Sequence, residues 1–436
     1  MISTTATSPM QAVSALERNT MRKIAWRLLP ILMLGYFIAF IDRVNVGFAA
    51  LQMNHDIGLN DAAFGLGGGL FYLTYVLLEI PSNLALQKVG ARLWIARIMI
   101  SWGLVSAGMA FISGPSSFYA MRLLLGAAEA GFFPGVILYL TYWFPAEYRA
   151  RIVAMFMVAI PLSSFIGSPL SAVLLHLNNV FGLKGWQAMF LIEALPAVLL
   201  GLLTPWLLTD KPGKAGWLSA DEKAWLEARL AEEGGSGKPG IKGHARLADV
   251  LRNRYVLAAA LVYAGASGAS QVLSLWQPQI IKSFGLSTLQ TGLLNSIPFG
   301  VASILMLWWG KRSDRKAERV WHTGLPLAAV ALSLTLVPFG THSLMFTVLL
   351  LVVAVTSTYI FKGPFWALAS DWMPGAAAAA GLAQVNAIGN LAGFAGSSLL
   401  GAIKQATGSF ALALLPIALI SAVGCVVLWQ LTRQRT

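Results

Sequence analysis

An all-α membrane protein with twelve spanning helices, arranged as two six-helix bundles, is the fold class this sequence predicts. Three observations predict it: an apolar composition, twelve apolar runs of membrane length, and basic residues confined to alternate connections. Of the 436 residues, 57% are hydrophobic and only 11% are charged, against roughly 25% charged in a soluble globular protein. In water such a chain would expose too much apolar surface, so lipid is the solvent that suits it. The 42 glycines and 15 tryptophans agree, because glycine is frequent in membrane helices and tryptophan gathers at membrane interfaces.

The runs read as spans over residues 28–50, 63–86, 93–112, 118–143, 152–175 and 186–208, then 255–280, 289–309, 323–339, 344–366, 378–403 and 410–431. Each is near the roughly 20 residues that cross a bilayer. The chain therefore divides into a tail at 1–27, a first bundle at 28–208, a central loop at 209–254, a second bundle at 255–431 and a tail at 432–436. No short apolar core precedes a small-residue cleavage site near the N-terminus, so no cleaved signal peptide is expected.

Lys and Arg stay on the cytoplasmic side of membrane proteins. Here they gather before span one (Arg18, Arg22, Lys23, Arg27), after span two (Lys88, Arg92), after span four (Arg149, Arg151), after span eight (Lys311, Arg312, Arg315), in the central loop, and in the tail (Arg433, Arg435). The opposite connections hold only Lys184, Lys282 and Lys404. Connection ten–eleven departs from the pattern, with only Lys362 near it. Both termini are thus expected in the cytoplasm. The net charge of +13 is a topology signal, and no nucleic-acid partner is expected. The single cysteine, Cys425, lies in a late apolar run and reads as a small buried hydrophobe.

In the central loop Ser219 is placed to cap a short helix, and residues 234–240 read as a flexible linker. A faint repeat links the halves: FFPGVILYLTYWFP at 132–145 and FKGPFWALASDWMP at 361–374 align on Phe, Trp and Pro at matching places in spans four and ten. Such halves are expected of one large class of transporters.

An ionisable residue in mid-membrane costs at least about 2.5–3.5 kcal/mol, so it is a functional candidate by default. The clearest here are Asp42, Arg43, Arg122 and Glu129, with Glu79, Arg97 and Glu193 nearer span ends. Asp42 and Arg43 point about 100° apart, so one can face a passage while the other faces a neighbouring helix. Arg122 and Glu129 lie two turns apart on one face of span four, which cannot face lipid. A carboxylate in a poorly hydrated cavity resists ionisation and can exchange a proton near neutral pH. The planar fork of Arg suits a carboxylate cargo. One fixed cation with one or two titratable acids is the minimum for carrying an anion together with protons. On this reading Asp42 and Glu129 are the proton-coupling acids, Arg43 is the anion anchor, and Arg122 touches cargo, tunes the acids or is structural. Glu79, in Glu-Ile-Pro-Ser-Asn, reads as a gate residue and Glu193 as structural.

The second half reads as free of counterpart charges, with Leu351 and Thr358 at the places of Arg122 and Glu129. Its polar residues are neutral, among them Gln271, Gln277 and Asn295, with Asn386 and Asn390 on one face of span eleven. Trp276 and Trp366 read first as interface anchors or packing, and otherwise as candidates to stack on a flat ligand. The five histidines (His55, His176, His244, His322, His342) lie in loops or at span ends. There is no metal spacing, phosphate loop or nucleophile elbow, so no enzyme and no cofactor beyond the coupling proton is expected.

These residues resemble the major facilitator superfamily. Gly310-Lys311-Arg312-Ser313-Asp314-Arg315 resembles its cytoplasmic loop motif, with Gly310, Asp314 and Arg315 in register. The first-half copy, Asn83 to Arg92, has Gln87 where the motif's acid would stand. Within the superfamily the chain resembles the anion:cation symporter family, on Asp42-Arg43-Val44-Asn45, Glu79 to Asn83, Arg122 with Glu129 to Gly135, Tyr142 to Pro145, Gly185-Trp186-Gln187, and Asn386 to Asn390. The branch of tartrate, 4-hydroxyphenylacetate and phthalate permeases is the most similar. That resemblance implies import of a small organic carboxylate, an aromatic acid or a hydroxy or sugar acid, by proton symport and alternating access. It implies a monomer in a bacterial inner membrane, with lipid around it. It also implies proton uptake at Asp42 and Glu129, cargo contact at Arg43 and Tyr75, and further contacts at Trp366 and Asn390. Two rivals remain at this stage. One is a proton-coupled drug or metabolite exporter, whose Gly-Pro motif Gly167-Ser168-Pro169 matches only in part. The other is a transporter-like nutrient sensor.

Overall fold

The computed structural model describes residues 9–177, 182–236, 253–340, 342–373 and 377–433. In the first half the helices are α1 (Pro9–Asp56), α2 (Asp61–Val89), α3 (Ala91–Gly108), α4 (Pro115–Glu129), α5 (Phe132–Thr141), α6 (Ala146–Leu174) and α7 (Gly185–Leu207). A connecting helix, α8 (Ala220–Ser236), follows. The second half holds α9 (Arg254–Lys282), α10 (Thr288–Lys316), α11 (Val320–Leu336), α12 (Leu344–Ile360), α13 (Lys362–Trp372), α14 (Ala377–Thr407) and α15 (Phe410–Arg433).

Helices α4 with α5, and α12 with α13, each form one broken span, which makes twelve. Eleven of these are long and apolar enough to cross a membrane. The twelfth, α14, has the length, at 31 residues. Gln384, Asn386, Asn390, Ser397 and Ser398 dilute its apolar character, and it packs against α2, α9 and α15. A polar span is tolerated where its polar atoms face protein or a water-filled passage. Twelve crossings return the chain to its starting side, so α1 begins and α15 finishes at one end of the bundle, the terminal end. The opposite end is the far end.

The halves meet through α2 with α14, α6 with α10, and α1 with α9. The contacts cluster at the far end. Phe64 sets its ring edge-on against Trp276, with centroids 5.0 Å apart. Lys404 lies 3.6 Å from the Asp61 carboxylate, and the Asp61 N–H donates to Gln405 Oε1 at 3.1 Å. Asn295 Nδ2 donates to Ser168 Oγ at 2.9 Å. Backbones approach closely here: a Cβ on Gly65 would sit 2.5 Å from the Ser397 carbonyl oxygen. Trp276, read from sequence as a ligand-stacking candidate, is fully buried in this seal between Phe64 and Phe410. Its role is packing, because the α2 helix covers the face a ligand would need.

The repeat marks the breaks. Phe-Phe-Pro-Gly at 132–135 and Phe-Lys-Gly-Pro at 361–364 carry the same pair of helix breakers in reverse order. Pro134 and Pro364 each lack an N–H and crowd the carbonyl four residues earlier, at Ala130 and Ile360. In the first half the chain turns through Gly131, at φ 83°. A Cβ there would meet Ser82 Oγ at 2.4 Å. Gly131→Ala should therefore cost at least about 1–2 kcal/mol from the left-handed backbone alone, seen as a lower thermal midpoint in detergent. Gly363→Ala, where nothing lies within 4 Å, should leave the midpoint unchanged or raise it.

Two sequence expectations are corrected. Lys362, within the expected span ten and the lysine nearest connection ten–eleven, opens α13 inside that span, which runs on to Trp372, ten residues further. The second half is thus not free of charge within its spans. Residues 234–236, expected in the flexible linker, complete α8, while 237–240 lie outside the described residues, as do His244, Lys238, Lys242, Arg246, Arg252 and Arg435. Ser219 does cap α8: its Oγ accepts from the Glu222 N–H at 3.2 Å, and Glu222 Oε2 accepts from the Ser219 N–H at 2.9 Å. Lys23 of α1 donates to the same Glu222 at 2.7 Å, which ties α8 to the first half.

Candidate functional site

Span one delivers its two adjacent charges to different neighbours, as their helical offset requires. Arg43 turns toward the interface between the halves. Its Nε donates to Glu129 Oε1 at 2.8 Å, and its Nη2 donates to the same oxygen. Glu129 is the last residue of α4, immediately before the break. The Arg43 side chain is 23% exposed while that of Glu129 is only 2% exposed. Aromatic rings pack around the guanidinium: Phe40 at 4.6 Å, Tyr75 at 5.3 Å and Phe71 at 5.4 Å to the ring centroids. Its charge also acts on Glu79 and Tyr72 of α2, and on Tyr359 and Lys362 of the second half.

Asp42 points away from this cluster, into the first half. Trp102 Nε1 donates to its Oδ2 at 2.5 Å and Asn45 Nδ2 to its Oδ1 at 3.3 Å. Asn45 also lies against Glu193 of α7, which accepts from Ser171 Oγ at 2.7 Å. Asp42 is 2% exposed and Glu193 4%. The two expected proton-coupling acids therefore occupy different surroundings. Glu129 faces a partly exposed guanidinium, and Asp42 faces an indole and an amide in the packed interior.

Arg122, for which cargo contact, tuning of the acids and a structural role are all open from the sequence, is turned onto α2. Its Nε donates to the Gly67 carbonyl at 3.3 Å and its Nη2 to the Gly68 carbonyl at 3.1 Å, with Phe71 beneath at 4.9 Å. It is 4% exposed. Direct cargo contact would require breaking both bonds, so the geometry makes it a brace between α2 and α4.

The remaining site candidates line the opposite wall or the gates. Tyr75 lies under Arg43. Trp366 packs on Tyr263, with centroids 4.8 Å apart, and is half-buried. Asn390 Oδ1 accepts from Gln271 Nε2 at 2.9 Å. Asn386, one turn away, is half-buried. Glu79 is half-buried and shares its field with Tyr75 and Tyr263 across the interface. At the terminal end Asp314 pairs locally with Arg319 at 2.5 Å, Arg315 is exposed, and Gly310 has open space around it. In the first-half loop, Asp210 from beyond span six accepts from the Arg92 N–H at 2.9 Å. An acid thus meets this loop even though Gln87 holds the motif's own place.

Sequence reasoning missed Tyr72, Tyr263, Tyr359 and Lys362 at this interface. A lysine inside an apolar run was the available signal for Lys362. The tyrosines carried none, because tyrosine is as frequent at membrane interfaces as in binding sites.

The Major Facilitator Superfamily pattern matches residues 32–397. The chain is 49% identical to a proposed tartrate transporter of Agrobacterium vitis over 423 residues, 96% of each chain. It is 40% identical to a quinolone resistance transporter of Acinetobacter baumannii over 427 residues, 96% of this chain and 97% of that one. Among solved structures, a D-xylose-proton symporter shares the fold at TM-score 0.75 and 15% identity, covering 93% of this chain and 97% of that one. This is a transporter and not an enzyme: the chain belongs to the Major Facilitator Superfamily, on its anion-transporter branch.

Proposed function

We propose that this protein imports a small organic carboxylate together with at least one proton, by alternating access across a bacterial inner membrane, with both termini in the cytoplasm. One observation carries the reading: a partly exposed guanidinium, Arg43, neutralised by a buried carboxylate, Glu129. An anion and Glu129 compete for the same fork. A proton on Glu129 removes the competitor and frees Arg43 for the cargo carboxylate. Leaving the proton behind returns Glu129 to Arg43 and expels the cargo. Binding of anion and proton is thereby linked in the thermodynamic sense, each favouring the other. Asp42, deep among Trp102 and Asn45, serves as a second proton site that meets no cargo. With cytoplasmic termini, a sealed far end makes this the inward-facing state.

A hydroxy acid is the favoured cargo. The name of the Agrobacterium vitis relative supports it, as does the burial of Trp276, which removes one of the two stacking candidates for an aromatic acid. A second reading, proton-coupled export of a drug, has the quinolone resistance transporter in its favour. Labelled tartrate and an aromatic monocarboxylate, offered to energised right-side-out vesicles, test the two. Accumulation that a protonophore collapses is the expected result. No carboxylate uptake, with raised quinolone tolerance in cells expressing the protein, would replace import with export.

A further inference from the structure

Lys362 is a cation that the mechanism above leaves unused. It is the first residue of α13, just past the break in span ten, and is half-buried. Ten residues of helix separate it from the terminal end of the span at Trp372, about 15 Å of rise. Among the described residues no carboxylate or carbonyl lies within hydrogen-bond distance of its Nζ, which rests over the Tyr359 ring at 4.4 Å. A ring face offsets a cation's lost hydration only in part. The other central cations are committed: Arg43 to Glu129 and Arg122 to two carbonyls. Lys362 is also near enough to Arg43 for the two charges to repel across the interface. A chain that keeps an uncompensated lysine at this depth, facing another cation, bears a standing cost.

We propose that Lys362 is the second-half anchor for an anion and that the cargo is a dicarboxylate, one carboxylate taken by Arg43 and the other by Lys362. The inference rests on the carboxylate-import reading and adds the valence of the cargo to it. One dianion held between the halves replaces a repulsion with two attractions. It draws α13 toward α1, so the same contact that selects the cargo also favours closure at the terminal end. A monocarboxylate satisfies Arg43 and leaves Lys362 without an anion.

The test compares Lys362→Gln and Lys362→Arg with the unaltered protein, purified in detergent and in proteoliposomes. The probes are tartrate and threonate, which share four carbons and differ by one carboxylate. Binding is read by thermal shift and by competition in counterflow. Expected for Lys362→Gln is a loss of tartrate affinity of about 10- to 100-fold, the range for a hydrogen bond to a charged group, with threonate affinity unchanged or improved. Lys362→Arg should recover most of the tartrate affinity. Equal losses for both probes, or no loss for either, would overturn the proposal, as would an unaltered protein that prefers threonate. A protein that carries neither these nor any other organic acid would instead sink the import reading itself.

Discussion

Glu129→Gln should abolish proton-driven accumulation while carboxylate-for-carboxylate exchange continues. Gln fills the same volume and can still accept a hydrogen bond from Arg43, but it cannot take up or give back a proton. The Arg43 fork then stays available in every state, so cargo binds and crosses without the competition that ties its passage to protons. Each pH unit across the membrane is worth about 1.4 kcal/mol, a tenfold concentration ratio per proton carried. In energised vesicles the variant should fail to raise the inside concentration above that outside, and counterflow should proceed at a rate near that of the unaltered protein. Accumulation that survives Glu129→Gln would remove Glu129 from the coupling role and leave Asp42 as the remaining candidate. Asp42→Asn is the matching measurement, read in the same two assays.

Arg43→Ala should remove transport altogether, exchange included. Two losses coincide. The cargo loses its anchor, and Glu129, only 2% exposed, loses the partner that offsets its charge. Breaking a buried pair from one side costs about 3–5 kcal/mol, which corresponds to at least a hundredfold loss in affinity if it falls on binding. The two parts separate experimentally. The double variant Arg43→Ala with Glu129→Gln should regain the thermal midpoint lost by the single one and still fail to transport. Arg43→Lys keeps the charge but not the fork that places two donors on one oxygen, and should weaken cargo binding by about tenfold or more. Transport by Arg43→Ala at an ordinary rate would show that the guanidinium is a structural counter-ion only.

The fold was legible because its cause is crude: hydrocarbon thickness sets span length, and the cost of moving charge across sets where Lys and Arg lie. Span α14 needed its neighbours to be understood, since its amides and hydroxyls lower its hydropathy below that of the other spans. The charged part of the site was legible for the same reason of cost, and Arg43, Asp42 and Glu129 stood out as exceptions in apolar runs. Their partners were not. That Arg43 would meet Glu129, 86 positions away, and that Arg122 would spend its donors on two glycine carbonyls, are facts of helix packing, and every residue offers a carbonyl. Lys362 was visible inside the apolar run 344–366 but counted only as the lysine nearest a connection, so the second half read as neutral.

The two breaks differ in what they do to their spans. The first turns the chain through Gly131 at φ 83°. At the second, Phe361 keeps helical angles, φ −60° and ψ −40°, and its N–H still reaches the Ser357 carbonyl at 3.1 Å. The chemistry beside them differs as well: Glu129 in one copy answers to Thr358 in the other, and Phe133 to Lys362. Pro364 removes one backbone bond from span ten without turning the chain. The first half thus carries a fixed elbow beside its acid, and the second a nearly straight rod with one rung missing beside its lysine.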